Sequence, residues 1–182
     1  MKKIILVLSL LLLVNETEAS TKEKIIKNLE NIKNFSFNFE QNINGKIENG
    51  NCIIEYPKKI FCRYELSNEK ILVSNGKFLV IKKNTGYYIY PLKKTPLDMI
   101  LDKNFLLKKI KKSKTRKVEE KFINIKFQEN ENEINLFFDK KTSNLIGWQT
   151  VDIYQNLNIT YLSSINKNQI LEKNLFNLPK QD

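Results

Sequence analysis

The stretch Lys70-Ile-Leu-Val-Ser-Asn-Gly-Lys-Phe-Leu-Val-Ile81 decides the fold of this chain. Asn75-Gly76 joins two short apolar runs, and Asn-Gly is the strongest short-range signal for a two-residue hairpin turn. The predicted cross-strand pairs are Val73–Phe78 and Ile71–Val80 on one face, and Leu72–Leu79 and Lys70–Ile81 on the other. A sheet with one wet face alternates apolar and polar residues, so a hairpin that is apolar on both faces must be covered on both.

The length and the N-terminus predict an exported protein with one folded domain. The chain has 182 residues, enough for a single core. Lys2 and Lys3 precede an apolar run, Ile4–Val14, of about eleven residues, which is shorter than the roughly 20 that a membrane span needs. We therefore expect residues 1–19 to be a signal peptide cleaved after Ala19, and residues 20–182 to form the mature domain. An uncleaved anchor is the alternative.

Sequence periodicity predicts mainly antiparallel β structure with two helical segments. Apolar residues at helical spacing, after a Ser20–Glu23 capping box, predict an amphipathic helix over 21–33. Phe35, Phe37 and Phe39 then alternate with polar residues, as in a half-buried strand. About ten strands follow in sequential hairpins, interrupted by a short helix with Thr95 as its N-cap. The expected class is α+β, with a curved antiparallel meander.

The two cysteines and the basic charge each leave two interpretations open. Cys52 and Cys62 lie symmetrically about Pro57, so they form either a disulfide or two buried thiols. The chain has 31 Lys and Arg against 20 Asp and Glu, a net charge of +11. Its densest basic cluster, residues 108–117, fits an edge strand protected by lysine, or attraction to anionic lipid headgroups. Nucleic acid is a poor partner for an exported protein.

The composition argues against an enzyme and for a binding protein. Histidine is absent, and two cysteines that flank one turn make no zinc site, so we expect no histidine-based catalysis and no metal. Five glycines spread singly make no phosphate loop, and we expect no cofactor. Asp98, Asp102, Asp139 and Asp152 could pair as in a glycosidase, but each has a simple structural explanation. Eleven Phe and seven Tyr favour an apolar hollow inside a curled sheet.

Several segments, in this order along the chain, resemble the LolA family of periplasmic lipoprotein carriers. None is specific alone, but together they cover nearly the whole predicted mature chain. They are Phe35–Gln41, Gly50 with Tyr56–Ile60 and Tyr64-Glu65, Lys70–Lys77, Thr95-Pro96-Leu97, and Phe176-Asn177-Leu178-Pro179.

The resemblance implies an open, unclosed β-barrel whose concave face holds the acyl chains of lipoproteins beneath a lid of helices. It also implies a periplasmic monomer that accepts cargo from an inner-membrane LolCDE-type ABC transporter and delivers it to an outer-membrane LolB-like receptor. The family commonly has an arginine before the turn proline that ties the lid to the barrel. Tyr56 occupies that position here, so a hydroxyl would replace the charge. Phe61-Cys62 stands where the family favours Arg-Trp.

The site hypothesis divides the apolar residues between a cavity wall and a lid. The predicted cavity residues are Phe35, Phe37, Phe39, Ile54, Ile71, Val73, Phe78 and Val80. The predicted lid residues are Ile25, Ile26, Leu29, Leu97, Ile100 and Leu101, with Tyr56 as the lid-contact turn. Which face of the central hairpin lines the hollow stays open. Two other functions also remain: a carrier or sensor of a free lipid or glycolipid, and an exported structural or adhesion β-sandwich.

Overall fold

A computed structural model describes residues 18–65, 69–113, 116–118, 122–129, 132–151 and 156–181. The helices are α1 (Glu18–Glu30), α2 (Leu97–Ile100) and α3 (Lys103–Lys112), with a 3-10 helix at Leu92–Lys94. The strands are β1 (Asn34–Ile43), β2 (Lys46–Glu55), β3 (Lys59–Tyr64), β4 (Ile71–Asn75), β5 (Phe78–Lys83), β6 (Gly86–Pro91), β7 (Arg116–Val118), β8 (Phe122–Glu129), β9 (Asn132–Asp139), β10 (Leu145–Val151) and β11 (Leu157–Lys167). Residues 1–17 of the predicted signal peptide lie outside the described residues. Within the described ranges, no helix has the length and apolar character to cross a bilayer.

The described strands form one antiparallel sheet in the order β6-β5-β4-β3-β2-β1-β11-β10-β9-β8-β7. The first strand therefore lies inside the sheet, between β2 and β11, and the chain builds outward to β6. It then crosses through the helices to the opposite edge and returns strand by strand. The sheet is not closed into a barrel, which confirms the predicted fold class; the described residues contain eleven strands where about ten were expected. A single sheet does not fit the β-sandwich alternative.

The helices pack on one face of the sheet and form the core with it. Ile25 and Leu29 of α1 and Leu106 and Ile110 of α3 are buried together with Phe35 at the start of β1. Apolar residues at helical spacing bury one stripe of each helix, as the amphipathic pattern predicts. The concave side of the sheet is therefore filled by helices near the beginning of β1.

Three predicted details of the helical segments are wrong. Helix α1 begins at Glu18, so the Ser20 capping box lies inside the helix and not at its start. Pro96, not Thr95, is the N-cap of α2, because the Thr95 hydroxyl donates to the Leu92 carbonyl instead. The edge-strand interpretation of the basic cluster is wrong for its lysines up to residue 112, which lie on α3, whereas Arg116 and Lys117 lie on β7, a strand at the edge of the sheet. Lysines in the last turn of a helix are stabilised by the helix dipole.

The central hairpin forms, with its turn one residue later than predicted. Val73 pairs with Val80 and Leu72 with Ile81, so Gly76 and Lys77 occupy the two loop positions. Gly76 has φ +95, and a loop with glycine at its first position is typical of a type II′ turn. Moving the turn by one residue shifts the register by two. The pairs change, but the residues on each face remain those that the sequence predicted.

The two cysteines form a disulfide. Cys52 and Cys62 are direct cross-strand partners, because the loop between β2 and β3 is Tyr56-Pro57-Lys58, centred on the proline. The Sγ–Sγ distance is 1.98 Å. The Tyr56–Pro57 peptide bond is cis. Of the two interpretations that the sequence left open, the disulfide is the one that the structure supports.

The outer face of the hairpin is covered by the C-terminal segment, residues 169–181. The Gln169 amide donates to Asn34 Oδ1 (2.9 Å), the Tyr87 hydroxyl to the Pro179 carbonyl (3.2 Å) and the Lys82 ammonium to the Lys180 carbonyl (3.1 Å). These contacts run from β1 to β6, across the outer side of the strands between them. Val73 and Val80 on that side are 1% and 0% exposed.

Gly50 allows an aromatic ring to lie flat on the concave face. A Cβ added there would lie 2.8 Å from Phe39 Cε1 and 2.2 Å from the Arg63 carbonyl oxygen. Phe39 in turn packs edge-to-face with Tyr64 at 5.0 Å between ring centroids. We expect Gly50→Ala to lower the free energy of unfolding by about 1–3 kcal/mol, as overpacking does. Urea denaturation would measure this loss, with exposed Asn51→Ala as the control. Equal stability of the two variants would contradict the close packing.

Reducing the disulfide should also lower stability. The bonded cysteines are 10 residues apart in sequence. For a loop of that size, the chain-entropy model gives a stabilisation of about 2–3 kcal/mol. We expect the urea midpoint to fall by a corresponding amount in the presence of a reductant. A Cys52→Ala/Cys62→Ala variant should be insensitive to the reductant. A reductant effect of equal size on that variant would show that the loss arises elsewhere.

Candidate functional site

A cavity of about 390 Å³ lies between the concave face of the sheet and the helices, within the usual size range of ligand pockets. Its walls come from strands β1–β6, β10 and β11 and from the segment that leads into α2. The lining residues are Phe37, Phe39, Gln41, Ile43, Cys52, Ile60, Cys62, Tyr64, Lys70, Leu72, Leu79, Ile81, Tyr90, Pro91, Lys94, Thr95, Pro96, Leu97, Trp148, Thr150, Asn158 and Thr160.

The wall nearer the helices is apolar. Strand alternation sends Phe37 and Phe39 of β1 to the concave side, and Phe37 meets Trp148 of β10 edge-to-face at 6.1 Å between ring centroids. The Cys52–Cys62 disulfide continues this wall across β2 and β3. Burying acyl CH₂ groups against such a wall is favourable by about 0.8 kcal/mol each.

The other end of the cavity is polar. Tyr64 Oη donates to Gln41 Oε1 (3.2 Å), and the Gln41 amide donates to Asn158 Oδ1 (3.1 Å) and to Thr160 Oγ1 (3.3 Å). These residues come from β1, β3 and β11, so the network ties the two halves of the sheet together. Burial and the Glu48 carboxylate raise the pKa of the Tyr64 hydroxyl, which therefore stays protonated as a donor.

A buried ion pair completes the polar end. Lys70 Nζ lies 2.5 Å from Glu48 Oε2 and 3.7 Å from the centre of the Tyr64 ring. The two side chains are 10% and 6% exposed. Burial raises the pKa of Glu48, but hydrogen bonds from Lys70 and Lys46 outweigh it and leave that pKa below its usual value. Burial lowers the pKa of Lys70, against the opposing effect of Glu48. Glu48 is thus ionised at neutral pH.

The helices are fastened to the β2–β3 turn by Lys58. Its ammonium lies 2.9 Å from Asp98 Oδ1 of α2 and 3.6 Å from Asp102 Oδ2 at the start of α3. Its backbone N–H also donates to the Leu101 carbonyl at 2.8 Å. We call these contacts of Lys58 with Asp98, Leu101 and Asp102 the lid latch.

The charge state of the lid latch depends on pH in a defined direction. Burial lowers the pKa of Lys58, but Asp98 and then Asp102 outweigh it and raise that pKa above its usual value. A cation whose pKa is raised on folding contributes stability below its unfolded pKa and loses it as the pH rises through the folded pKa. Lys58 therefore keeps its charge at neutral pH, and the latch weakens when the pH rises through that raised pKa.

Tyr56 makes no side-chain hydrogen bond to any residue that the structure describes. Its hydroxyl is buried, and burial together with Asp102 raises its pKa. The ring packs beside Phe35 at 6.0 Å between centroids. The expectation that a tyrosine hydroxyl would bond the lid is therefore wrong: the hydroxyl lies in the core, and Lys58, two residues later, makes the polar contacts.

The cavity prediction chose the wrong face of the central hairpin. Phe37 and Phe39 line the cavity, but the four predicted hairpin residues Ile71, Val73, Phe78 and Val80 lie on the outer face. Leu72, Leu79 and Ile81 line the cavity instead. Phe35 and Ile54 pair across β1 and β2 and are buried in the core with the helix residues, away from the cavity wall.

The predicted lid residues also divide by position. Leu97 lines the cavity. Ile25, Leu29, Ile100 and Leu101 are buried in the core, and Ile26 packs against it half-buried. The lid residues thus mostly fill the concave space, and only Leu97 of this set borders the space that remains.

The sequence reasoning missed the polar end and the lid latch. Gln41 continues the alternation of Phe35, Phe37 and Phe39, so its position on the concave face was readable from β1 alone. Trp148, Thr150 and Thr160 come from strands distant in sequence, and no local pattern places them opposite β1. Lys58 and Asp98 are 40 residues apart in the chain, and no local pattern brings them together.

Three of the four aspartates considered for a carboxylate pair, and two lysines of the basic cluster, have structural partners. Asp98 and Asp102 both face Lys58, and Asp139 accepts from the Thr142 amide and hydroxyl, which lowers the pKa of Asp139. Asp152 lies outside the described residues. In the basic cluster, Lys109 pairs with Glu129 and Lys111 with Glu30, whereas Lys114 is outside the described ranges.

The family model described as "Outer membrane lipoprotein carrier protein LolA" matches residues 30–179 of this chain. No curated protein matches the sequence of this chain. Among solved structures, an uncharacterised conserved protein from Thermus thermophilus has a TM-score of 0.54 at 7% identity, over 90% of this chain and 96% of that chain. A LolA superfamily protein from Nitrosomonas europaea has a TM-score of 0.45 at 8% identity, over 87% and 97%. LprF from Mycobacterium bovis has a TM-score of 0.44 at 12% identity, over 86% of this chain and 97% of that chain. At such identities, the Thermus likeness concerns the fold alone.

The lid latch can be tested by removing its charge. We expect Lys58→Met to speed hydrogen exchange of the amides in residues 97–101 about fivefold, because loss of a partly buried ion pair is worth about 1 kcal/mol. Lys59→Met is the matched control, since Lys59 pairs with Glu55 on the adjacent strand and not with the helices. Hydrogen-exchange mass spectrometry would measure both variants. Equal exchange in the two would contradict a fastening role for Lys58.

Proposed function

The chain belongs to the LolA family, and on this premise we propose that it carries acylated lipoproteins between the two membranes of a Gram-negative envelope. The acyl chains would enter the cavity, and the protein moiety would stay outside. The observation that carries the proposal is the apolar cavity under Lys58-fastened helices. The family description is that of a carrier, which agrees with a site built for burial and not for catalysis.

The lid supplies a way to load and release cargo. Helix residues such as Ile100 and Leu101 fill part of the concave side, and Leu97 borders the open part. A multiply acylated cargo needs more room than the present cavity, so the helices must move outward to admit it. The lid and the acyl chains thus compete for the same apolar surface. Neither state can be much more stable than the other if transfer is to proceed.

The proposed route follows from the family and from the predicted export. A signal peptide over residues 1–19 would deliver the chain to the periplasm. There it would receive lipoproteins from a LolCDE-type transporter and release them to a LolB-like receptor. We propose that it acts as a monomer, without a cofactor. Carriage of a free lipid or glycolipid in the same cavity is the competing function.

Charging the cavity wall tests acyl binding. We expect Ile81→Glu to weaken binding of a fluorescent fatty-acid probe by at least about tenfold, because the carboxylate would have to be desolvated beside the acyl chain. Ile81 is half-buried and lines the cavity. Ile89→Glu is the matched control on the neighbouring strand, where Ile89 is 51% exposed on the outer face. Probe binding that is unchanged in Ile81→Glu would contradict the proposed site.

The nature of the cargo requires a separate measurement. Protein purified from the cell envelope should carry acylated protein, which mass spectrometry would identify. Free lipid in its place would support the competing function. Depletion of the protein should leave lipoproteins in the inner-membrane fraction, and a normal distribution of lipoproteins after depletion would contradict the shuttle.

A further inference from the structure

The polar end of the cavity lies far from the lid latch. Phe35, in the helix-filled core, and Gln41, at the polar end, are six residues apart on β1, or about 20 Å along an extended strand. The apolar wall of Phe37, Phe39 and the disulfide occupies the interval. The cavity therefore has one polar end and one apolar end, as a lipid does.

The polar end presents hydrogen-bond donors to the cavity. Lys70 has three N–H groups, and its ammonium contacts Glu48 while the side chain lines the cavity. Asn158 Oδ1 accepts from Gln41 and Thr160, so its amide group remains as a donor. Thr150, a residue that is 6% exposed, adds a hydroxyl to the cavity lining beside Asn158. A ligand that offers acceptors fits these groups.

The two charges buried at this end balance each other. The Lys70 ammonium and the Glu48 carboxylate are both buried and lie 2.5 Å apart, so they sum to zero where the ligand would sit. Two further lysines act on this pair from outside it: Lys46, whose side chain is 74% exposed and screened by water, and Lys83, which is half-buried. An anionic phosphate placed against Lys70 would also approach the Glu48 carboxylate, which repels it. Uncharged carbonyl oxygens accept the same hydrogen bonds without that repulsion.

We propose that this end is a subsite for the ester carbonyls of an uncharged diacylglycerol-type group, with Lys70, Thr150 and Asn158 as donors and the acyl chains running toward the lid. The proposal rests on the proposed function, because it assumes that acyl chains occupy the apolar part of the cavity. It adds that the carrier selects cargo by the neutral linkage between the chains and the rest of the cargo molecule. Glu48 is the residue that sets this selectivity.

Two soluble lipids with the same chains test the subsite. Dioctanoylglycerol and dioctanoylphosphatidic acid would each displace a fluorescent fatty-acid probe from the full chain. We expect the native protein to bind dioctanoylglycerol at least about tenfold more tightly. Glu48→Gln leaves the Lys70 charge unbalanced and should raise the affinity for the phosphatidic acid about tenfold, which removes most or all of the preference for dioctanoylglycerol.

Two further variants separate recognition from stability. Glu48→Gln/Lys70→Met removes both charges, so it should show no gain for the phosphatidic acid. Thr150→Val keeps the shape of the side chain but removes a donor. It should weaken the binding of dioctanoylglycerol about fivefold. Binding of a hydrocarbon without carbonyl groups, such as hexadecane, should be unchanged. Thermal unfolding of each variant would show that the fold persists.

The outcomes distinguish the subsite from the function on which it rests. If both lipids displace the probe with equal affinity in the native protein and in Glu48→Gln, the cavity binds acyl chains and the subsite proposal is wrong. A preference of the native protein for the phosphatidic acid would also overturn it. If neither lipid nor the probe binds, the proposed function fails, and the subsite fails with it.

Discussion

The structure depends on the need to cover an apolar concave face that is wider than the helices above it. Strands β1 to β5 send aromatic and aliphatic side chains to most of this face. Helices α1, α2 and α3 fill the end where β1 begins. The rest of the face is left as a cavity, and the disulfide and the Phe39–Gly50 contact shape its wall. A carrier needs such an unfilled apolar face, because cargo can compete only for surface that the core does not consume.

The two ends of the cavity are held by different forces. At one end, Lys58 fastens the helices through Asp98 and Asp102, an ion pair that water can partly screen. At the other end, Lys70 and Glu48 form a deeply buried pair, and Lys70 lies over the ring of Tyr64, whose hydroxyl donates to Gln41. The first is suited to opening and closing, and the second to holding a fixed geometry. The C-terminal segment covers the outer face independently, so the inner face can exchange occupants without exposing the hairpin on its other side.

Local patterns predicted much of this arrangement. The alternation of Phe35, Phe37 and Phe39 indicated β1 correctly, and the symmetric cysteines about Pro57 placed their side chains opposite one another. The central hairpin was predicted correctly, but its observed register differs from the predicted one by two residues, because Gly76 takes the first loop position. The hydrogen bond expected of Tyr56 is absent among the described residues, because the polar contacts to the helices come from Lys58 on the far side of the turn. The polar end was missed because its members come from strands that are distant in sequence.

The sequence by itself determined which residues share a face, since strand geometry makes side chains alternate with a period of two whatever the strand packs against. It thereby established that the central hairpin has two apolar faces and that both require cover. Only the tertiary structure decided that the face of Leu72, Leu79 and Ile81 lines the cavity, while that of Val73 and Val80 lies under the C-terminal segment. The reason is physical: the direction in which a sheet curves depends on all its strands and on what packs against it, and no single hairpin encodes it.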